Sequence, residues 1–344
     1  MALEVEVLTD PGVMEGDMPA YARLLESSSD DSVFMRMEWQ DAWWKHYGKT
    51  RKLQAIRVRE NDRLVGYGPF MTTDLGKIVK ASKLEFVGAG LSDRLGIVAE
   101  NDRVDVIEAV LNGMTYDSSW DVGELRDVRQ DSPTARCVLE RFPQAEVAKE
   151  DSPCITVRSS FKDYLSTLSQ NARHNMVRTC RKNMTQLDAR FVRIADPGSL
   201  PGALEEFFRL NRMRWSDKGE DSVLTPQMRD FLRDAIGRLA TQRISVIHAL
   251  MVGEKAFSMC LGFEYHDRYL YYLSGFDPSY SIYGPGRCLL SMIIEESHER
   301  RLEEVDLLRG DEEYKYHLGA ENRTNLTVRI RKPSLRARIL DRKT

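Results

Sequence analysis

Tyr269-Leu270-Tyr271-Tyr272-Leu273-Ser274-Gly275-Phe276-Asp277-Pro278-Ser279-Tyr280-Ser281-Ile282-Tyr283-Gly284-Pro285-Gly286-Arg287-Cys288-Leu289-Leu290 is the stretch whose reading decides the fold. Its first eight residues are aromatic and aliphatic and read as a strand. Asp277-Pro278 breaks the run, and Gly284-Pro285-Gly286 forms a turn that opens a helix from about Pro285 to Arg301. Glycines let a ligand approach the backbone closely, and unpaired N–H groups at a helix start suit phosphate oxygens. Taken alone, a Gly-x-Gly turn before a helix is more often just a turn.

Upstream, Ile244 to Met251 and Ala256 to Tyr265 are two strands around the Val252-Gly253-Glu254-Lys255 turn, and Arg268 to Phe276 supplies a third. Gly202 to Lys218 and Pro226 to Thr241 read as amphipathic helices, Phe191 to Ile194 as a strand and Phe161 to Met184 as one helix. Downstream, strands are expected over Glu304 to Leu308 and Leu326 to Arg331. The first half repeats this order loosely. Leu3 to Leu8 alternates at the strand period, Phe34 to Gly48 is an aromatic-rich helix, and Leu53 to Arg59 with Arg63 to Thr72 form a hairpin. Leu84 to Gly88 and Trp120 to Leu125 are further strands, with helices at Val104 to Met114 and Pro133 to Phe142. Helices, an antiparallel meander and a helix crossing to another strand make a mixed α/β order. The boundary falls near Asp151-Ser152-Pro153, giving domains 1–152 and 153–332 and a basic tail, 333–344.

Length and composition agree with two folded domains. The chain has 344 residues, of which 42% are hydrophobic and 30% charged, enough for two cores. A net charge of -3 argues against general attraction to nucleic acid or anionic lipid and leaves local basic patches open. Cys137, Cys154, Cys180, Cys260 and Cys288 are scattered, without a CxxC pair. With no HxxxH spacing among the six His either, no metal site is expected, and a reducing cytoplasm fits best. The acidic start lacks the pattern of a secretory signal, and no apolar run approaches the roughly 20 residues that span a bilayer.

Ser281-Ile282-Tyr283-Gly284-Pro285-Gly286 resembles the Gln/Arg-x-x-Gly-x-Gly/Ala loop with which GNAT enzymes hold the pyrophosphate of acyl-coenzyme A. Ser281 stands where that pattern has Gln or Arg, and Pro285 lacks one backbone donor. Phe34 to Gly48, Phe86 to Asp93, Phe161 to Lys182 and Asp306 to Lys315 extend the resemblance over most of the chain, to the BioF2-like, CelD-like and FemAB-like acyltransferases. The resemblance implies tandem GNAT-like domains, each a mostly antiparallel central sheet flanked by helices. It also implies an acyl donor, acyl-CoA and most simply acetyl-CoA, in the second domain, and an acceptor in the cleft between the two. Leu273, Ser274, Gly275, Phe276, Ser281, Gly284, Gly286 and Arg287 are then the donor-binding candidates. FemAB-like relatives use aminoacyl-tRNA instead, the one circumstance in which nucleic acid would be a partner. A degenerate, non-catalytic binding module is the third alternative.

Acyl transfer needs a base and a group that stabilises the oxyanion. Asp311, Lys315 and Tyr283 are the catalytic candidates: Asp311 as base or amine positioner, Lys315 to offset negative charge. A solvated Asp-Glu-Glu turn with a Lys pairing across it is the plain alternative. On the 171–184 helix, His174, Arg178, Arg181 and Lys182 share one face, and Met176, Val177, Cys180 and Met184 the other. Arg173, Arg178 and Arg181 are acceptor-binding candidates for an anionic small molecule or envelope precursor, with plain solvated surface as the alternative. Trp44, from the Trp39, Trp43 and Trp44 cluster, and Asp93, after a Gly-Ala-Gly turn, complete the acceptor candidates, core packing being the commoner use of such tryptophans. The expectation is a monomer or homodimer without a membrane span.

Overall fold

A computed structural model describes residues 2–12, 17–75, 81–116, 120–158, 160–217 and 224–332. The basic tail expected at 333–344 lies outside the described residues. The chain divides into two compact units, residues 1–150 with 324–344, and residues 151–323.

The first unit contains β1 (Glu4–Leu8), α1 (Met18–Glu26), α2 (Met37–Tyr47), β2 (Arg51–Leu53), β3 (Ala55–Glu60), β4 (Arg63–Gly68) and β5 (Phe70–Asp74). β6 (Ser82–Phe86), β7 (Val98–Ala99), α3 (Val104–Tyr116), β8 (Val122–Arg129), α4 (Pro133–Arg141) and β9 (Glu146–Asp151) follow. Its strands form two sheets, ordered β1-β3-β4-β7 and β2-β5-β6-β8-β16-β9, where β16 is Thr324–Arg331. The sheets part at Pro69, between β4 and β5, where the missing N–H prevents a continuous ladder.

The second unit contains β10 (Cys154–Thr156), α5 (Phe161–Thr167), α6 (Gln170–Arg173), a π-helical turn (His174–Thr179), α7 (Cys180–Gln186), β11 (Ala189–Ile194), α8 (Leu200–Asp217) and α9 (Pro226–Ala240). β12 (Ser245–Val252), β13 (Lys255–Tyr265), β14 (Arg268–Phe276), α10 (Pro285–Glu299), β15 (Glu304–Asp306) and α11 (Glu313–His317) complete it, and β16 (Thr324–Arg331) returns to the first unit. One mixed sheet, β10-β15-β14-β13-β12-β11, runs through this unit, antiparallel except where β14 meets β15. The architecture is therefore mixed α/β, with sheets flanked by helices.

Alternation along the strands separates two cores. Val246, Leu250, Cys260, Tyr269 and Tyr271 pack with Leu289, Leu290, Ile293 and Ile294 of α10. The other face carries α8 against β14: a side chain at Gly275 would lie 2.6 Å from Asn211 Cα, so only glycine permits this approach. His248, fully buried, ties β12 to α10 through Glu296 (Nε2 to Oε2, 2.7 Å).

Two expectations change. The helix read as 161–184 is broken at Leu168, because Ser169 starts a new helix by accepting the Ala172 N–H (3.2 Å). The strand assigned to the second domain, now 324–331, instead pairs antiparallel with β8 from Asn325↔Arg129 to Arg331↔Val122. Its alternating apolar side chains, Leu326, Val328 and Ile330, complete the first unit's core.

Candidate active site

The site begins at the end of β14. β15 pairs with this strand only over Arg268, Leu270 and the residue between them. Beyond Asp306 the chain turns away: Leu307 N–H donates to Pro153 O (2.9 Å), Leu308 adopts φ 54° and its N–H donates to Asp306 Oδ1 (3.0 Å). On its other side β14 stays paired with β13, Leu273 opposite Leu261 and Gly275 opposite Met259, with Tyr272 as an extra bulged residue. Asp277 N–H donates to Phe257 O (2.9 Å), so by antiparallel alternation the Gly275 and Leu273 amides join β13 while those of Ser274 and Phe276 face the gap left by β15. Among the described residues that leaves an open strand edge, 271–276.

A 3₁₀ turn, Pro278–Tyr283, carries the chain from this edge to α10. Asp277 Oδ1 braces it by accepting the Ser279 N–H (3.0 Å) and hydroxyl (2.7 Å). Ser281 Oγ donates back to Pro278 O (2.6 Å), so the hydroxyl at the Gln/Arg position serves its own turn. Gly284 sits at φ 59°, the left-handed region that favours glycine, and caps α10. Gly284 N–H donates to Ser281 O and Cys288 N–H to Gly284 O, both at 3.0 Å; Pro285 has no N–H. The Gly286 and Arg287 amides are thus the first-turn donors left for an anion. A Cβ at Gly286 would meet only Phe276 Cδ1, at 3.9 Å, so no side chain plugs the turn there.

The helical stretch 170–186 lies beside this turn, since Asn183 Nδ2 donates to Tyr283 O (2.8 Å). Its π turn leaves Cys180 Sγ on Asn175 O (3.2 Å) and buries Met176 and Cys180, as the sequence pattern predicts. Arg173, Arg178 and Lys182 are exposed, and Arg181 forms a surface ion pair with Glu295 (2.9 Å). A cavity of about 180 Å³ lies between these elements, lined by Asn171, Asn175, Met176, Arg287, Tyr314 and His317 among others. Tyr314 is 42% exposed overall, yet desolvation around its phenol, followed by the charge of Glu312, pushes that group up to about 12. A larger groove of about 1490 Å³ follows α8 and the β11–β13 side, reaching Asp277 and Tyr280.

The other candidates fall in different settings. Lys315 is 3% exposed and its ammonium donates to Arg309 O (2.9 Å) and Gly310 O (3.1 Å) while pairing with Glu312 (2.9 Å). That cation holds the 308–310 turn together. Asp311, next to it, is exposed, and Tyr283 is half-buried with its ring 6.4 Å from Tyr280. In the first unit Asp93 is 5% exposed, and its backbone O accepts from Asn325 Nδ2 (2.8 Å). Trp44 covers Gly48, where a Cβ would lie 2.8 Å from its indole. Trp39 and Trp43 are core residues. Sequence reasoning missed Arg214 and Asn211 of α8, which reach the Ser274 carbonyl, and Tyr314. Nothing in the periodicity of α8 distinguishes Arg214 from its other arginines; only the position of Gly275 opposite Asn211 could have pointed there.

Residues 170–316 match the family model described as an acetyltransferase (GNAT) domain. Among solved structures, FemX is similar with a TM-score of 0.64 at 10% identity, covering 94% of this chain and 96% of its own. A conserved protein of unknown function from Bacteroides thetaiotaomicron has a TM-score of 0.62 at 11% identity, covering 96% and 100%. L-PGS from Bacillus licheniformis has 0.58 at 11% identity, covering 96% and 95%. No curated protein matches in sequence. Residues 170–316 of the second unit thus match a GNAT-type domain, and the chain shares the fold of these solved structures. Among the described residues there is neither a cluster of metal-binding side chains nor a helix long and apolar enough to cross a membrane.

Proposed function

We propose that the second unit binds an acyl-coenzyme A, with acetyl-CoA the simplest donor, and passes its acyl group to an amine or hydroxyl by direct attack. The observation that carries this reading is the open edge of β14 running into the Gly284–Arg287 turn. The amide-rich arm of the donor would pair with that edge, and its diphosphate would sit on the Gly286 and Arg287 amides. A backbone N–H facing the gap, from Ser274 or Phe276, would polarise the thioester carbonyl as the oxyanion develops. The attacking amine loses its proton to a base, for which exposed Asp311 is the candidate, and the thiolate leaves protonated, the Tyr314 phenol of the adjoining cavity being the candidate donor. All five cysteines are buried, which favours direct attack over an acyl-cysteine intermediate. On this reading the chain sits with the BioF2-like and CelD-like enzymes and acts in the cytoplasm on a small or envelope-precursor acceptor.

Isothermal titration with acetyl-CoA tests the proposal. Wild-type protein should bind, and Gly286→Asp, placing a carboxylate at the diphosphate without a clash, should weaken binding by about 30-fold or more. Absence of binding by the wild type would sink the coenzyme A reading. Transfer from aminoacyl-tRNA is favoured by one observation, the exposed Arg173, Arg178 and Lys182 on a helical stretch that contains no acidic residue and touches the donor turn. Binding of charged tRNA in place of acetyl-CoA would select it.

A further inference from the structure

The gap beside β14 contains a guanidinium that no carboxylate among the described residues neutralises. Arg214, on the last turns of α8, extends to the open edge: one terminal nitrogen donates to Ser274 Oγ (2.8 Å) and lies 3.4 Å from Ser274 O. Asn211, one turn earlier, already satisfies that carbonyl from Nδ2 (3.0 Å). The guanidinium carbon lies 5.3 Å from the centre of the Phe276 ring, whose Cδ1 flanks Gly286. Arg214 Nε is buried and has no hydrogen-bond partner, and among the described residues no Asp or Glu pairs with the side chain. Its surroundings are hydroxyls and rings: Ser274, Phe276, and the phenols of Tyr271 and Tyr314, which both feel its charge.

Other arginines of this unit show the contrast. Arg193 and Arg300 both pair with Glu264, Arg233 with Glu205 and Arg209 with Glu206. A partly desolvated cation held on neutral groups is costly unless an anion completes it, and the planar fork of Arg matches a carboxylate with two parallel hydrogen bonds. The two ends of the gap differ as well. α10 presents its amides to a diphosphate from one face of the sheet, whereas Arg214 enters from α8, which packs on the other.

We infer that Arg214 is a substrate-binding residue that receives a carboxylate next to the reacting carbonyl, making the small substrate of this site an acid. The inference rests on the transferase reading for what the carboxylate belongs to: either the acceptor, as in an amino acid, or the far end of the acyl chain, as in a dicarboxylic acyl-CoA. Removing the guanidinium leaves the diphosphate turn untouched, so the loss is selective for acids.

Two binding measurements on the full chain test this with wild type, Arg214→Gln and Arg214→Lys. Ligand-observed NMR compares a panel of amino acids with their carboxamides; titration compares succinyl-CoA with acetyl-CoA. A preference of about tenfold or more for the acid in either arm, abolished in R214Q and partly kept in R214K, is the expected result, and the arm that shows it names the source. Equal binding of acids and amides together with equal binding of the two thioesters overturns the inference. So does a tenfold or greater loss of acetyl-CoA affinity in R214Q, which by the same arithmetic would put the guanidinium on the donor's phosphates, at about 1.4 kcal/mol per decade. If neither thioester binds the wild type, the donor proposal falls, while the amino-acid arm still decides the role of Arg214.

Discussion

Each unit has a glycine turn after a strand, Gly88-Ala89-Gly90 following β6 and Gly284-Pro285-Gly286 following β14, and the two are built to opposite ends. In the first, Gly88 adopts φ 93°, and a Cβ there would lie 2.7 Å from Ser92 Oγ. Trp39 Nε1 donates to that same Oγ (2.9 Å), and Gln40 Nε2 donates to Phe34 O (2.7 Å), so α2 closes over the turn. Ser92, Asp93 and Arg94 are all buried. In the second, the turn starts a 15-residue helix and leaves two first-turn amides facing outward. Glycine chemistry is common to both. What makes one of them a candidate binding site is a helix start where, among the described residues, a Cβ at Gly286 would meet only the Phe276 ring at 3.9 Å, and what makes the other structural is the indole and amide that fill its concavity.

The closed side extends to Gly96, where a Cβ would lie 2.6 Å from Asp30 Cγ. Burial pushes the Asp30 carboxyl up to about 6, outweighing the hydrogen bond from Thr134 Oγ1 (2.6 Å). Because the folded form holds its proton more tightly than the unfolded, this group's contribution is fully present below about pH 4 and is lost as pH rises through 6. The expected loss is about 3 kcal/mol. Asp30→Asn should therefore flatten the pH dependence of denaturant unfolding between pH 4 and 7 and gain most at neutral pH; a wild-type curve parallel to the mutant's would show that the closed side is not sealed. Glu264, in the second unit, has the opposite sign. Burial acts to raise it, but Arg300 and Arg193 hold it at about 2, so its contribution is present above the usual glutamate range and is lost as pH falls toward 2.

Next in size is a matched pair at the two turns. Gly88→Ala should lower stability by about 2 kcal/mol, through strain at positive φ and the clash with Ser92. Gly286→Ala should change it by less than about 0.5 kcal/mol, since alanine suits a helical position. Similar losses in the two unfolding curves would erase the distinction drawn between the turns. Somewhat smaller than the Gly88 effect is that at the lid of the closed turn: Trp39→Phe removes the bond to Ser92 and most of the indole's second ring, and thermal unfolding should report a loss of about 1–2 kcal/mol with acetyl-CoA affinity unaltered. A change in donor affinity there would mean that the two glycine turns are coupled.

Much of this was legible in advance because it is local. The strand 268–276, the glycine-capped start of α10 and the buried face carrying Met176 and Cys180 all follow from periodicity and turn chemistry within a few residues. The break at Leu168 was missed because a serine N-cap inside an apolar-periodic stretch looks like one more polar position. For Lys315 the sequence left two readings, a charge offsetting a substrate or a Lys pairing across the turn; its ammonium pairs with Glu312 and is held by carbonyls five and six residues earlier, an arrangement created by the turn at Leu308 and Gly310. Asp93, after the Gly-Ala-Gly turn, is buried, a property that no local pattern carries because it depends on α2 covering that turn.

The amino-acid order by itself determined where elements start and stop and which faces are apolar, because backbone propensity, capping and side-chain period act over one or two turns of chain. Only the folded molecule decided which edges pair and which side chains converge. β16 joins β8 across roughly 200 residues because that edge offers unpaired hydrogen-bonding groups and a matching apolar face. Arg214 meets Ser274 because Gly275 lets α8 descend onto β14, and β15 leaves the gap because the chain turns back toward β10 at Leu308. Contacts of that range carry no local signature, since they depend on two distant segments being brought together at once.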